Sequence, residues 1–202
     1  MPDNKDSPFG MKPIKHLNGS PWNGKFNIYY KAVALNEAMF IGTPIQLAGS
    51  ADTFGKYPTV KLAGTSPILG VIIGFPNTPY IAADVTDLDK LYSLASTASY
   101  VAVVDDPSVI FEMQEDDADG DTLDADDVGL NASATTESGS TTTGQSTVEI
   151  DRSTVATTST FNLKLLRLVD RPGNAMGAYS KWEVLINNHG LGQGLGSTGV
   201  ST

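Results

Sequence analysis

The run Ile68-Leu69-Gly70-Val71-Ile72-Ile73 carries no polar side chain. A strand with one solvated face alternates, so a strand that is apolar throughout has to be covered on both faces. Its upstream neighbours, Ile45–Leu47 and Thr59–Leu62, do alternate (Ile45, Gln46, Leu47; Val60, Lys61, Leu62), with the period of a half-buried sheet. Gly, Pro, Ser and Asp turns separate the three. The stretch from Phe40 to Phe75 therefore predicts a small closed β-module. It holds no catalytic group, which directs attention to a surface that binds and away from a pocket that transforms.

The flanks extend the β pattern. Phe26–Ala34 reads as a strand with Phe26, Ile28, Tyr30 and Ala32 on one face and Asn27, Tyr29 and Lys31 on the other. Asp84–Leu94 has apolar residues at Val85, Leu88, Leu91 and Leu94 with Asp84 as N-cap, which predicts a short helix. Tyr100–Val104 opens a second strand-rich region, followed by a turn at Asp105-Asp106-Pro107. Val109, Phe111 and Met113 then alternate with Ile110, Glu112 and Gln114, giving one buried and one wet face. Further strands are expected over Thr147–Ile150, Phe161–Val169 and Lys181–Asn187, the last with Trp182, Val184 and Ile186 on one side. A loop is expected around Ala132–Gly144, a turn at Asp170–Asn174 and a flexible Gly-rich tail from Gly190.

At the other end, Pro2, Pro8, Pro13 and Pro21 alternate with Gly10, Gly19 and Gly24, and no periodicity survives. Residues 1–25 read as an extended arm. The arm carries Phe9, Met11, Ile14, Leu17 and Trp22, which have to be buried against the same chain or a neighbour. The expected organisation is all-β: an arm over 1–25, a first β-domain over 26–95 with a helix at 84–94, a second over 96–189, and a tail over 190–202. Both domains are expected to be small and barrel- or sandwich-like, and the second carries the acidic and Ser/Thr-rich loops.

Composition bounds the function. A chain of 202 residues buries roughly 70% of its unfolded surface, and 40% apolar residues suffice for a core. With 20 Gly and 11 Pro, turns outnumber helices; with no Cys, disulfides and thiolate metal sites are excluded. The net charge of −10 repels phosphate backbones, and no basic stripe with interleaved aromatics offsets it, so no nucleic-acid partner is expected. No stretch approaches about 20 apolar residues, nor does the N-terminus resemble a signal peptide. A soluble product without a membrane partner is expected.

Chemistry-bearing constellations are few. Glu115, Asp117, Asp119 and Asp126 overlap the spacing of a calcium loop with Gly120 at its sixth position, although the flanks read as strand and loop instead of paired helices. A solvated acidic loop is the simpler reading of the same run. The two histidines, His16 and His189, have no nucleophile or acid placed beside them by motif. G-x-S-x-G, H-E-x-x-H and G-x-x-x-x-G-K-[ST] are all missing. No cofactor is implied, and an enzyme is not expected.

The order A-V-A…F-I-G-T-P-I-Q-L…P-T-V-K-L…S-P-I-L-G-V-I-I-G, at Ala32–Ala34 and Phe40–Gly74, resembles the β-module of capsid decoration (cement) proteins of tailed bacteriophages. Tyr100–Glu115, Asp127–Ala132 and the final K-W-E-V-L-I-N at Lys181–Asn187 are similar to larger phage head or cement proteins. Phe9–Gly24 is similar to N-terminal arms of the same group. The long acidic and Ser/Thr insertions between Glu115 and Thr160 depart from the smaller decoration proteins. The resemblance implies a non-enzymatic virion protein on the outer capsid surface, bridging neighbouring major capsid subunits, commonly as a homotrimer. Under it, Phe9, Met11, Ile14 and Trp22 would contact the capsid or a sister subunit, and removing residues 1–25 would abolish binding while leaving the body folded. The rivals are a receptor- or glycan-binding head appendage, and a calcium-dependent module or hydrolase.

Overall fold

Ile68 and Leu69 are adjacent in the chain and buried in different cores. A computed structural model of the chain describes residues 4–65, 67–76, 90–117, 120–136, 139–192, 196 and 199. In chain order its strands are β1 (Lys12–His16), β2 (Asn27–Lys31), β3 (Met39–Phe40), β4 (Pro44–Ala51), β5 (Pro58–Leu62), β6 (Gly70–Gly74) and β7 (Tyr92–Ser93). They continue with β8 (Ser99–Val104), β9 (Val109–Gln114), β10 (Asn131–Ala134), β11 (Ile150–Ala156), β12 (Leu163–Leu168) and β13 (Lys181–Ile186). The architecture is all-β. Ala125–Asp127 forms a 3₁₀ turn.

Five strands close into a barrel in the order β2-β5-β4-β6-β8, antiparallel except where β2 meets β5. Six others form an antiparallel sheet in the order β1-β9-β13-β12-β10-β11. The all-apolar run sits between these two bodies. Leu69 and Ile72 fill the barrel with Tyr29, Ile45, Val60, Val101 and Val103. Ile68 and Val71 join Phe111, Met113, Leu163, Leu165, Trp182 and Val184 under the sheet. Both faces of the run are covered, as its composition requires.

The chain divides differently from its expected boundaries. β8 closes the barrel by pairing with β2 and β6, so the barrel extends past residue 95. The arm is also part of the body: β1 is the edge strand of the six-stranded sheet, in register with β9 from Lys12 opposite Glu112 to His16 opposite Val109. Pro13 is tolerated there because an edge strand does not need every ladder donor. The free side of β1 is closed by the chain itself, since Trp22 N–H donates to Ile14 O at 3.2 Å and His16 N–H to Ser20 O at 2.9 Å. Such local cover blunts an edge against foreign strands.

Five further expectations are corrected. Where a helix was predicted over Asp84–Leu94, residues 84–89 lie outside the described residues, and Tyr92–Ser93 is a strand paired with Met39–Phe40. Phe40 stacks on Tyr92 at 5.2 Å, so tertiary packing fixes an extended backbone here. β2 turns Tyr29 and Lys31 inward instead of presenting a plain apolar face. Lys31 tolerates this because its ammonium donates to the carbonyls of Leu94 (2.7 Å) and Thr97 (3.1 Å). The wet face expected of β9 is buried: Glu112 and Gln114 lie under the arm and the cationic side chains of the sheet, and Ser7 N–H donates to Gln114 Oε1. Asn131–Ala134, expected at a loop boundary, is a buried strand whose Ala134 N–H donates to Asn162 Oδ1. The strand placed at Thr147–Ile150 begins at Ile150 and runs to Ala156.

Candidate partner-binding surface

The outward face of the six-stranded sheet is built by register. Lys12, Glu112 and Glu183 lie side by side across β1, β9 and β13, and Gln114 lies beside Lys181. Ion pairs knit this row together: Lys15 to Glu183 at 2.7 Å, Arg167 to Glu183 at 2.8 Å and Arg171 to Glu112 at 2.6 Å. Lys15 and Arg167 hold the Glu183 carboxyl below the usual carboxylate range although burial pushes it up. Lys12, Lys15, Arg167, Arg171 and Lys181 thus meet Glu112 and Glu183 along this row, with Glu149 at its end accepting from Gln114 Nε2 at 2.9 Å, in a chain whose net charge is −10. Burial and the neighbouring Arg171 lower the Lys181 ammonium below its ordinary value.

Where this face meets the barrel, a cleft of about 500 Å³ opens. Phe9, Met11, Ile41, Ile72 and Ile73 make its apolar walls; Lys12, Glu112, Arg171 and Lys181 stand around it. The arm forms one side of this cleft and is anchored on both flanks. Asn4 exchanges hydrogen bonds with the 175–178 loop, and Met11 N–H donates to Gly42 O at 2.9 Å.

The four arm residues are therefore separated. Met11 is buried in the sheet core and Trp22 packs against that core, so these two are used within the chain. Phe9 lines the cleft, and Ile14, on β1, is half-buried. Sequence reasoning missed Lys12, Lys181 and Ile41; the signal was the cation next to the apolar pair Phe9 and Met11, but its significance depends on β13 and the barrel.

The acidic run folds through its own backbone. Asp124 Oδ1 accepts from Asp126 N–H at 2.8 Å, and Asp127 Oδ2 accepts from Asp124 N–H at 2.9 Å, a reciprocal cap on the 3₁₀ turn. Arg152 approaches Asp121 (3.4 Å) and Asp127 (3.5 Å). Of the calcium candidates, Asp119 lies outside the described residues, Asp126 is exposed, and Glu115 points inward, its Oε2 accepting from Leu123 N–H at 2.7 Å. Among the described residues no three His, Cys, Asp or Glu side chains converge in a way that would hold a metal ion. Burial raises the Glu115 carboxyl to about 7.

Both histidines flank the β8–β9 turn. His16 Nδ1 lies 3.2 Å from Ser108 Oγ and 3.5 Å from Asp106 Oδ2, while Ser108 Oγ donates to Asp106 Oδ1 at 2.7 Å. Serine and carboxylate thus share one ring nitrogen, whereas a nucleophile relay needs them on opposite nitrogens. His189 is buried and takes Leu191 N–H on Nδ1 at 3.0 Å.

On the outside of the barrel, Tyr100 sits 5.5 Å from both Tyr30 and Tyr57, ring centre to ring centre. All three are half-buried. Compared with known proteins, the chain matches no family, no curated protein and no solved structure.

Proposed function

We propose that this protein is a non-enzymatic virion structural protein that binds the outer surface of a tailed-phage capsid and cements neighbouring major capsid subunits, as a homotrimer. The reading starts from the resemblance of the arm, of Phe40–Gly74 and of the second strand-rich half to capsid decoration proteins. The observation that supports it in three dimensions is the cleft between the barrel and the sheet, where the arm's Phe9 meets Ile41 and Ile73 beneath a cationic rim. A cementing protein needs an area of contact spread over several partners more than it needs a deep pocket. The arm contributes through Phe9 and Lys12, while Met11 and Trp22 hold it in place.

The test is sedimentation of purified protein with expanded capsids that lack it, followed by electron microscopy of the decorated particles. Density at the junctions between capsid subunits is expected; failure to co-sediment overturns the reading. Light scattering on the free protein reports the trimer.

A second reading, a capsid-attached receptor- or glycan-binding appendage, is favoured by the Tyr30, Tyr57 and Tyr100 cluster. It requires the isolated protein to bind a saccharide, with binding lost in Tyr100→Ala.

A further inference from the structure

We infer that the cleft between barrel and sheet docks an extended polypeptide segment of a partner that carries carboxylates beside large apolar side chains. This deepens the capsid-binding reading, on which it rests for the partner's identity: the segment would belong to a capsid subunit.

The argument begins with charge. Acidic residues outnumber basic ones in the chain, 23 to 13, so a surface with the opposite balance attracts what the rest of the molecule repels. Among the residues that line the cleft the balance is reversed, with Lys12, Arg171 and Lys181 against Glu112. Arg171 is satisfied by Glu112, with Nη2 2.6 Å from Oε1 and Nη1 3.2 Å from Oε2. Lys12 and Lys181 remain, and neither ammonium has a carboxylate within ion-pair distance among the described residues. They stand on β1 and β13, with β9 between them.

The apolar walls set the second requirement. Phe9 and Ile73 are half-buried and Ile41 is exposed, and together they leave apolar surface facing the lysines. A free phosphate would use the charges and leave these walls wet. It would also lack the guanidinium fork it prefers, because Arg171 already pairs with Glu112. A segment with carboxylates beside Leu or Phe satisfies both halves of the cleft at once. Lys181 also has a physical reason to accept it: burial and Arg171 disfavour its charged form more than Glu112 and Glu149 favour it, and an incoming carboxylate offsets that cost.

The experiment titrates the full-length ¹⁵N-labelled protein with the peptide Gly-Glu-Leu-Glu-Phe-Gly, and in parallel with Gly-Gln-Leu-Gln-Phe-Gly and Gly-Glu-Ser-Glu-Ser-Gly. The first peptide is expected to shift the amides of Gly42, Ile73 and Lys181 and to bind at least tenfold tighter than either control, with affinity falling as NaCl is raised. Lys12→Glu combined with Lys181→Glu should remove the shifts; Lys12→Gln with Lys181→Gln, which makes no new repulsion, should weaken binding at least threefold. Equal binding of the Gln peptide, or shifts that survive both double variants, overturns the inference. Capsid sedimentation separates this from the wider reading. If wild-type protein binds capsids and both double variants bind equally well, the cleft is the wrong surface and the capsid role stands. If the peptide docks and capsids are ignored, the capsid role falls and the cleft stands.

Discussion

Gly10 and Gly42 stand backbone against backbone, both at positive φ (71° and 87°), and they fasten the arm to the barrel. A Cβ on Gly10 would strike the Gly42 carbonyl, and one on Gly42 would strike the carbonyl oxygen of Phe9. Either substitution also forces an L side chain into the left-handed region. Gly10→Ala and Gly42→Ala should each cost more than about 1 kcal/mol in urea unfolding. Gly19→Ala, at φ 85° with open space around it, should cost less, because only the backbone penalty applies.

The arm is expected to be needed for folding as well as for binding. Met11 is buried in the sheet core, so Met11→Ala should cost about 2–5 kcal/mol. Removal of residues 1–25 takes away β1 as well, so the truncated chain should show a lower melting temperature in calorimetry. A truncated protein as stable as the full chain would make the arm a detachable appendage.

Glu115 and His189 give opposite pH dependences. The Glu115 carboxyl is held at about 7 by burial, against an ordinary 4.5, with the Leu123 N–H pulling the other way. The folded protein keeps a proton that the unfolded chain releases, so this stabilisation is complete below pH 4.5 and lost as pH rises through 7. Glu115→Gln should flatten that slope and be more stable than wild type at pH 8 by roughly 2–3 kcal/mol. Paired urea titrations at pH 5 and pH 8 measure it.

Burial pushes His189 below the ordinary imidazole value of 6.5, although Asp105 and Asp106 favour its charged form. Here the unfolded chain takes up the proton first, so stability is present above pH 6.5 and lost as pH falls below it. In a Glu115→Gln background, where the opposing slope is removed, unfolding free energy should decline on acidification from pH 7 to pH 5.5. His189→Gln should abolish that decline.

Lys31 ties the 94–97 loop to the barrel through two carbonyls. Lys31→Met keeps most of the buried volume and strands both acceptors, which should cost about 1–3 kcal/mol. Amide exchange in residues 95–98 should accelerate more than exchange in β12.

What the sequence disclosed followed the chemistry of each segment. Ile68–Ile73 announced a doubly covered strand because nothing polar interrupts it, and Val109, Phe111 and Met113 announced the buried side of β9. What stayed hidden depended on distant partners. Lys31 reads as a solvent residue until two carbonyls more than sixty positions later take its ammonium. Asn131–Ala134 reads as a loop because small polar residues gain strand geometry only between β11 and β12. The apolar members of the cleft were visible in part, through Phe9 and Met11. Its charge was not, because Lys12 and Lys181 approach each other only after β9 is laid between them.

The placement of Ile68 and Leu69 has a mechanical consequence. A load applied to the sheet cannot be absorbed by letting the barrel hinge away, because the strand they introduce is a wall of one body and a floor of the other. Separating the halves would strip apolar surface from both at once, so the molecule should yield as one piece or not at all. Under the proposed capsid-binding role, that stiffness would serve better than any single strong contact.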